Sequence, residues 1–403
     1  MKESFWHNPL LMPVYVPTLI IAFGRGMLVP ILPLYAASFD ASYGLVGLVI
    51  ASQGIGMITG DIPAGILLSR MGQRRSMLVG VGMLAVMALA MSWAQSLTEL
   101  ILYGLFAGIG TALWNVSRHA YLANAAPTDR RGRAIAIFGG VNRAGSFIGP
   151  ALGGLIGGWF GLRWAFVVYA LITAIAFVLP LLYAEENFKS TSRGGVGSHS
   201  MHFLRLLREH AWTFSTAGTG QLLAQMIRAG RTIVIPLFAQ DVLGLGVEAI
   251  GLIVSIGSGI DMLMFYPAGI VMDRIGRKWA YVPCFALQAV GMALIPFTWN
   301  FATLVAATSL IGFGNGLGSG TMMTLGADLA PPDSMGEFLG LWRLIGDGGQ
   351  SGGPIVVGAV AQVVGLIPAI FVIAVIGALG STIFGVFVPE TLGAKRIRVQ
   401  PQG

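Results

Sequence analysis

Apolar residues in this chain come in long uninterrupted runs, each closing on a short polar connection. Twelve runs are present, near residues 13–36, 43–69, 75–94, 98–124, 131–159, 164–183, 211–239, 247–272, 279–298, 301–328, 335–363 and 366–388. About 20 apolar residues in a helix cross the ~30 Å hydrocarbon layer. Barrel strands would instead give short segments of alternating polarity. The pattern predicts an all-α membrane protein with 12 transmembrane helices. The first run lacks a small-residue cleavage site and carries Arg25, with Pro30 and Pro33 beyond it, so it is read as a retained helix and not a removable leader.

Composition sharpens this. The 403 residues are 55% hydrophobic and 10% charged, with mean hydropathy +0.78, whereas soluble domains carry roughly a quarter charged residues. The net charge of +7 is explained by position: of 24 Lys and Arg, seventeen lie in alternate connections or at the termini, and the opposite connections hold Arg163 alone. This follows the positive-inside rule, so both termini and the linker at 185–208 are expected in the cytoplasm, and the basicity marks a lipid bilayer, not nucleic acid. The single cysteine, Cys284, excludes an intrachain disulfide and reads as a small apolar filler in the ninth run. A multi-pass protein of the cell membrane, most simply a bacterial inner membrane, is expected.

The second half repeats the first. A shift of 204 positions brings Pro63, Ala64 and Gly65 onto Pro267, Ala268 and Gly269, Ala126-Pro127 onto Ala330-Pro331, Gly132 onto Gly336, and Gly149-Pro150 onto Gly353-Pro354. A one-residue slip aligns Arg25 and the "PLYA" at 33–36 with Arg228 and the "PLFA" at 236–239. The expected organisation is a six-helix bundle at 1–184, a polar linker at 185–208 and a second bundle in parallel orientation at 209–403. Within the linker, "FLRLLREH" at 203–210 has helical apolar spacing; a surface helix and a solvated spacer both fit it.

Two charged stretches, "GILLSRMGQRR" at 65–75 and "GIVMDRIGRK" at 269–278, occupy the connection between the second and third helices of each half. With the duplication, they resemble the major facilitator superfamily, whose loop signature is met by Gly269, Asp273, Arg274, Gly276, Arg277 and Lys278. Gly65, Arg70, Gly72, Arg74 and Arg75 match it in the first half, and Ser69 stands where the signature has an acid. The resemblance implies two pseudo-symmetric six-helix bundles, with each charged loop acting as a cytoplasmic latch to helix ends of the other half. Asp333 and Glu337 are the expected partners of Arg70 and Arg74, and Gly65 and Gly269 are expected to let helices pack closely. Simple fixing of topology is the plainer role for the basic residues. In the fifth run, Gly145, Gly149, Pro150, Gly153 and Gly154 resemble the antiporter motif of the drug-efflux branch, as does the Pro30/Pro33 pair. Gly104 stands where that branch often carries an arginine.

Ionisable groups inside hydrocarbon are candidates for function. They are Arg25, Asp61, Arg118, His119, Arg143, Arg228, Arg231, Asp261, Arg343 and Asp347, on runs 1, 2, 4, 5, 7, 8 and 11. In the superfamily the other four helices are the outer ones. Arg143 and Asp261 lie at similar depth and are expected to pair, and Asp347 is expected to face Arg25 or Asp61. Coupling needs a group that changes protonation, so Asp347 and Asp261 rank first as proton carriers, followed by Asp61 and His119; sodium is the alternative ion. Six arginines against three aspartates favour an anionic or zwitterionic substrate. Trp114, Asn115, Asn142, Gln221 and Gln225 are further cavity candidates, with Tyr121 and Trp342 more simply explained by packing. No nucleophile–base pair, metal-ligand spacing or ATP-binding loop is recognisable, so neither an enzyme nor a cofactor is expected. The function expected is secondary active transport by alternating access, as a monomer, most simply proton-coupled efflux of a small organic molecule. The alternative is proton-coupled uptake of an organic anion or sugar.

Overall fold

The computed structural model describes residues 10–125, 131–185 and 206–392. Most of the 185–208 linker and the basic termini lie outside these residues; 206–209 are helical. The helices are α1 (Val16–Ala37), α2 (Tyr43–Met71), α3 (Gln73–Ser92), α4 (Leu97–Ala125), α5 (Arg131–Phe160), α6 (Leu162–Tyr183), α7 (Thr219–Asp241), α8 (Val247–Arg274), α9 (Lys278–Leu294), α10a (Phe301–Leu317), α10b (Thr321–Leu329), α11 (Met335–Val364) and α12 (Leu366–Phe387). Among the described residues there is no strand. Ten spans among the described residues are long and apolar enough to cross a membrane. The helices α5 and α11, each 30 residues long, complete the twelve and carry Arg143 and the Glu337, Arg343 and Asp347 set.

The tenth run departs from expectation. It breaks at Gly318-Ser319-Gly320, where Gly320 takes φ +74° and separates α10a from α10b. Glycine's low helix propensity and freedom at positive φ account for the break. The repeat-equivalent residues of α4, Trp114-Asn115-Val116, have no glycine and continue the helix.

Elsewhere the duplication is visible in the backbone. A π-helical turn precedes α1 at Leu11–Tyr15 and α7 at Phe214–Gly218. Positive-φ glycines recur 204 positions apart, Gly72 with Gly276 and Gly161 with Gly365, each at the turn between two helices.

Contacts gather the described residues before 186 with 235–258, and those at 206–234 with 259–392. The end of α7 and the start of α8 thus pack with the first six helices. In the first group α1 lies on α5 and α6, α2 on α4, and α3 on α4 and α6. In the second, α9 lies on α10a and α12, and α11 on α12. Glycine permits the closest of these approaches: a methyl group at Gly149 or Gly153 would run into the carbonyls of Phe23 or Met27 on α1, and one at Gly349 or Gly353 into those of Leu222 or Met226 on α7.

Candidate functional site

In the first group of helices a cavity of about 190 Å³ lies between α1, α3, α4 and α5. It is lined by five of the residues singled out from the sequence: Arg25, Trp114, Asn115, Arg118 and Asn142. On α4, Thr111, Trp114, Asn115 and Arg118 follow one another at helical spacing and so share a face. Arg118 is 7% exposed and donates from Nη2 to Asn115 Oδ1 at 2.8 Å. Its guanidinium carbon sits 5.3 Å from the Trp114 ring centroid, a cation–π arrangement. The Trp114 indole Nε1–H is buried and meets no acceptor among the described residues. Thr18, Ile21 and Ala22 of α1 and Leu84 of α3 complete an amphipathic wall that the sequence did not single out. Next to this face, His119 is exposed and donates from Nδ1 to the Asn115 carbonyl at 2.6 Å. Arg143 and Asp61 are partly buried and are not among the cavity-lining residues.

The second group holds a polar seam around the break in the tenth helix. Arg228 Nη2 donates to the Gly318 carbonyl at 3.2 Å, and the guanidinium lies 5.0 Å from the Phe285 ring centroid. The same carbonyl accepts from Thr321 Oγ1 at 2.7 Å. Asp261 accepts from Asn315 Nδ2 at 2.8 Å. Cys284 is not a plain apolar filler: Gln288 Nε2 approaches its sulfur at 3.2 Å and Arg228 Nη2 at 3.7 Å. On α11, Arg343 Nε lies 3.4 Å from Asp347 Oδ2 one turn away, with the aspartate side chain 13% exposed and the arginine 43%. Gln221 packs against Gly346 and Gln225 against Gly349, at the α7–α11 seam, and Arg231 lies half-buried further along α7. Trp342 donates to the Met322 carbonyl at 2.8 Å and packs on α10b.

The charged loop after α8 is tied down within its own half. Arg277 pairs with Asp273 at 2.8 Å and with Asp328 of α10b at 3.3 Å, and Thr391 Oγ1 donates to the same Asp328 oxygen at 2.9 Å. Glu390 accepts from the backbone N–H groups of Arg277 at 2.8 Å and Lys278 at 3.0 Å, capping the start of α9. Gly276 takes φ +145°, a conformation that side chains rarely adopt, and a Cβ there would press on that carboxylate. Partial burial raises the Glu390 pKa, but the N–H groups of Leu392, Lys278, Arg277 and Thr391 together hold it below the usual carboxylate range. Arg274, in the last turn of α8, complements that helix's C-terminal partial charge.

One expectation for these loops is corrected. Gly65 and Gly269 do not mediate close helix packing, because a Cβ at either would meet nothing within 4 Å. In the first half, Arg74 Nη2 donates to the Leu181 carbonyl of α6 at 2.6 Å, a helix-end partner in its own bundle. Arg70 lies exposed in the last turn of α2, and Ser69, in the acid's place, donates back to the Ile66 carbonyl at 2.8 Å. Glu337 stands in the first turn of α11 and Asp333 in the turn Pro332–Ser334, both suited to a helix N-terminus.

The glycines of α5 divide between two neighbours. Gly145, Gly149 and Gly153 face α1, while Gly154 meets Gly251 of α8. Beside Pro150, the Ser255 hydroxyl of α8 accepts from the Ala151 N–H at 2.8 Å and donates to the Phe147 carbonyl at 2.8 Å. An ordinary α-helical turn would pair those two backbone groups with each other.

The profile of the Major Facilitator Superfamily matches residues 15–260 and again 217–399. The chain belongs to this superfamily. It is therefore a membrane transporter and not an enzyme. Among similar proteins, an uncharacterised MFS-type transporter of Methanocaldococcus jannaschii is 22% identical over 356 residues, 88% of this chain and 91% of that one. Multidrug resistance protein 2 of Bacillus subtilis is 23% identical, covering 77% of this chain and 79% of its own. A multidrug resistance efflux pump PmrA homolog of Lactococcus lactis is 22% identical, covering 89% and 90%. In fold, the chain is similar to a POT family transporter solved with a thioalcohol-conjugated peptide, at TM-score 0.79, 14% identity and 96% and 98% coverage. A D-xylose–proton symporter gives TM-score 0.75 at 17% identity, with 97% and 99% coverage.

Proposed function

We propose that this transporter exports a small organic molecule in exchange for protons, by alternating access between two six-helix halves at 1–184 and 209–403 joined through a cytoplasmic linker. The observation that carries the direction is the glycine–proline stretch of α5, laid on α1 by Gly145, Gly149 and Gly153 and on α8 by Gly154. Its resemblance to the antiporter motif is supported by relatives named for multidrug resistance in two bacteria.

Asp347 is the leading proton carrier. It lies mid-helix in a 30-residue span, largely buried, with Arg343 one turn away. Burial favours the neutral acid and the nearby guanidinium the carboxylate. A change in solvent access during the cycle would therefore move a proton on or off. Asp261, held by Asn315, is the second candidate.

Proton movement in sealed proteoliposomes tests this reading, with an internal pH dye and a panel of anionic, zwitterionic and cationic compounds. In the wild type, a transported compound should dissipate an imposed pH gradient. Asp347→Asn should abolish this while leaving exchange of labelled compound intact, since exchange needs no net proton transfer. Exchange without proton movement in the wild type would remove the proton from the mechanism. Concentrative uptake driven by an inward proton gradient would reverse the direction in favour of symport.

A further inference from the structure

One stretch of the chain crosses the boundary that the duplication draws. Residues 235–258, the end of α7 and the start of α8, belong by sequence to the second repeat and pack with the first group. Along two turns α8 lies on α5: the Glu248 side chain covers Gly158, the Gly251 backbone meets Gly154, and the Ser255 hydroxyl bonds to the Ala151 N–H and the Phe147 carbonyl. A further tie involves α7. Asp241, the last residue of that helix, accepts at 2.8 Å from the hydroxyl of Tyr43, the first residue of α2 and 198 positions away. No motif marks either residue.

The duplication does not account for this bond. A shift of 204 positions carries Tyr43 onto Val247 and Ala37 onto Asp241, so its counterpart is Ala37 with Val247, two side chains without a polar atom. Each of these polar ties can also be undone without stranding a buried polar group. Asp241 is exposed and Tyr43 half-buried, so water takes the place of either partner. The Ala151 N–H and Phe147 carbonyl are an i to i−4 pair of α5 and keep each other when Ser255 withdraws. The Ser255 hydroxyl then has the carbonyl of its own preceding turn. Between these ties Gly154 and Gly251 meet backbone to backbone, with no side chain on either to interlock and fix one orientation. We propose that this is a seam that opens and shuts during transport: the Tyr43–Asp241 bond is its catch, and the Gly154–Gly251 contact is where α8 pivots on α5. A phenol–carboxylate bond within reach of water biases the closed form without trapping it. The assignment holds for export and uptake alike and for either coupling ion, so it does not depend on the direction proposed above.

Distances between nitroxide labels, read by pulsed electron–electron double resonance, test the assignment. The labels go on Ser38→Cys and Val242→Cys, exposed positions of the α1–α2 and α7–α8 connections, in the full chain carrying Cys284→Ala and held in nanodiscs. With the catch intact a short distance should dominate, beside a minor longer one from the open seam. Tyr43→Phe removes the hydroxyl and little else, and should raise the ratio of long to short by roughly 5-fold, the order of one lost hydrogen bond. Asp241→Ala should do the same, and the double variant no more than either, because all three lose the same bond. Asp241→Asn keeps an acceptor oxygen and should fall between the wild type and Asp241→Ala. A distribution that Tyr43→Phe leaves unchanged would overturn the proposal, and so would effects that multiply in the double variant. A lowered unfolding temperature with unmoved distances would make the bond a plain brace, which overturns it too. Bridging Tyr43→Cys to Asp241→Cys with a reducible bifunctional thiol reagent, again without Cys284, ties the seam to transport. The bridge should stop counterflow of whichever panel compound the wild type exchanges, and a reductant should restore it; undiminished counterflow with the bridge intact would sink the catch. The proton reading fails separately, on a pH gradient that no compound dissipates, and the label distances are read whether or not it stands.

Discussion

At the scale of single residues, the charged loop after α8 is organised by groups far away in sequence. Asp273 and Arg277 are legible as a motif four positions apart, but Asp328 is 51 positions from Arg277 and Glu390 is 113. Nothing in local spacing points to either, since a lone acid near a helix end reads as solvated. The Glu390 cap has a measurable signature. Its carboxyl is held below the ordinary range by backbone donors, despite partial burial that acts the other way. A group with a lowered folded pKa contributes stability above its unfolded value, ~4.3, and loses it as the pH falls through the folded value. Glu390→Gln is expected to lower the unfolding temperature by ~1–3 °C at neutral pH, a modest effect because the site is exposed. The gap between wild type and variant should narrow below roughly pH 4. Scanning fluorimetry at pH 7 and pH 3.5 checks this, and an undiminished gap in acid would show that the negative charge is not what caps α9. The cavity was more legible. Arg25, Trp114, Asn115, Arg118 and Asn142 stand out because polar groups in hydrocarbon are conspicuous, whereas Ile21 and Leu84 look like any lipid-facing residue.

At the scale of elements, α5 and the tenth helix show what periodicity captures and what it misses. Run length placed both spans within a few residues, because the requirement to cross a bilayer overrides local propensity. Two glycines around Ser319 were not enough to announce the break between α10a and α10b, since glycines abound throughout this chain and most lie inside continuous helices. The Ser255 hydroxyl is a subtler case. Serine in a membrane helix usually bonds to its own preceding turn, but here it is shared between two groups of α5 beside Pro150. In Ser255→Ala the Ala151 N–H and Phe147 carbonyl still stand as an i to i−4 pair of α5, so the expected loss is only about 1 kcal/mol. Gly251→Ala should cost more, about 2–3 kcal/mol, because the added methyl meets backbone on both sides: the Pro150 carbonyl and the Gly154 Cα. Denaturation of the two variants side by side tests the order. Equal losses would mean that α5 and α8 tolerate separation at this point.

At the scale of the whole molecule, the duplication predicts which way each half runs through the membrane. Glycines with positive φ recur 204 positions apart at the turn after α2 and α8 and at the turn after α5 and α11, so each half bends at the same places. An even number of spans per half puts both repeats in the membrane in the same sense, whereas an odd number would invert one against the other. The distribution of Lys and Arg then predicts that the α2–α3 and α8–α9 connections face the cytoplasm. The chain is suited to a direct test because its one cysteine, Cys284, is fully buried. In a Cys284→Ala background, single cysteines replace Ser38 and Val242, in the α1–α2 and α7–α8 connections, or Ser69 and Ile275, at the charged loops; all four positions are exposed. A membrane-impermeant maleimide added to intact cells should label Ser38→Cys and Val242→Cys, and should reach Ser69→Cys and Ile275→Cys only after permeabilisation. If Ser69→Cys and Ile275→Cys labelled from opposite sides, the halves would be inverted repeats. The parallel two-bundle organisation would then fall, together with the cytoplasmic placement of both charged loops.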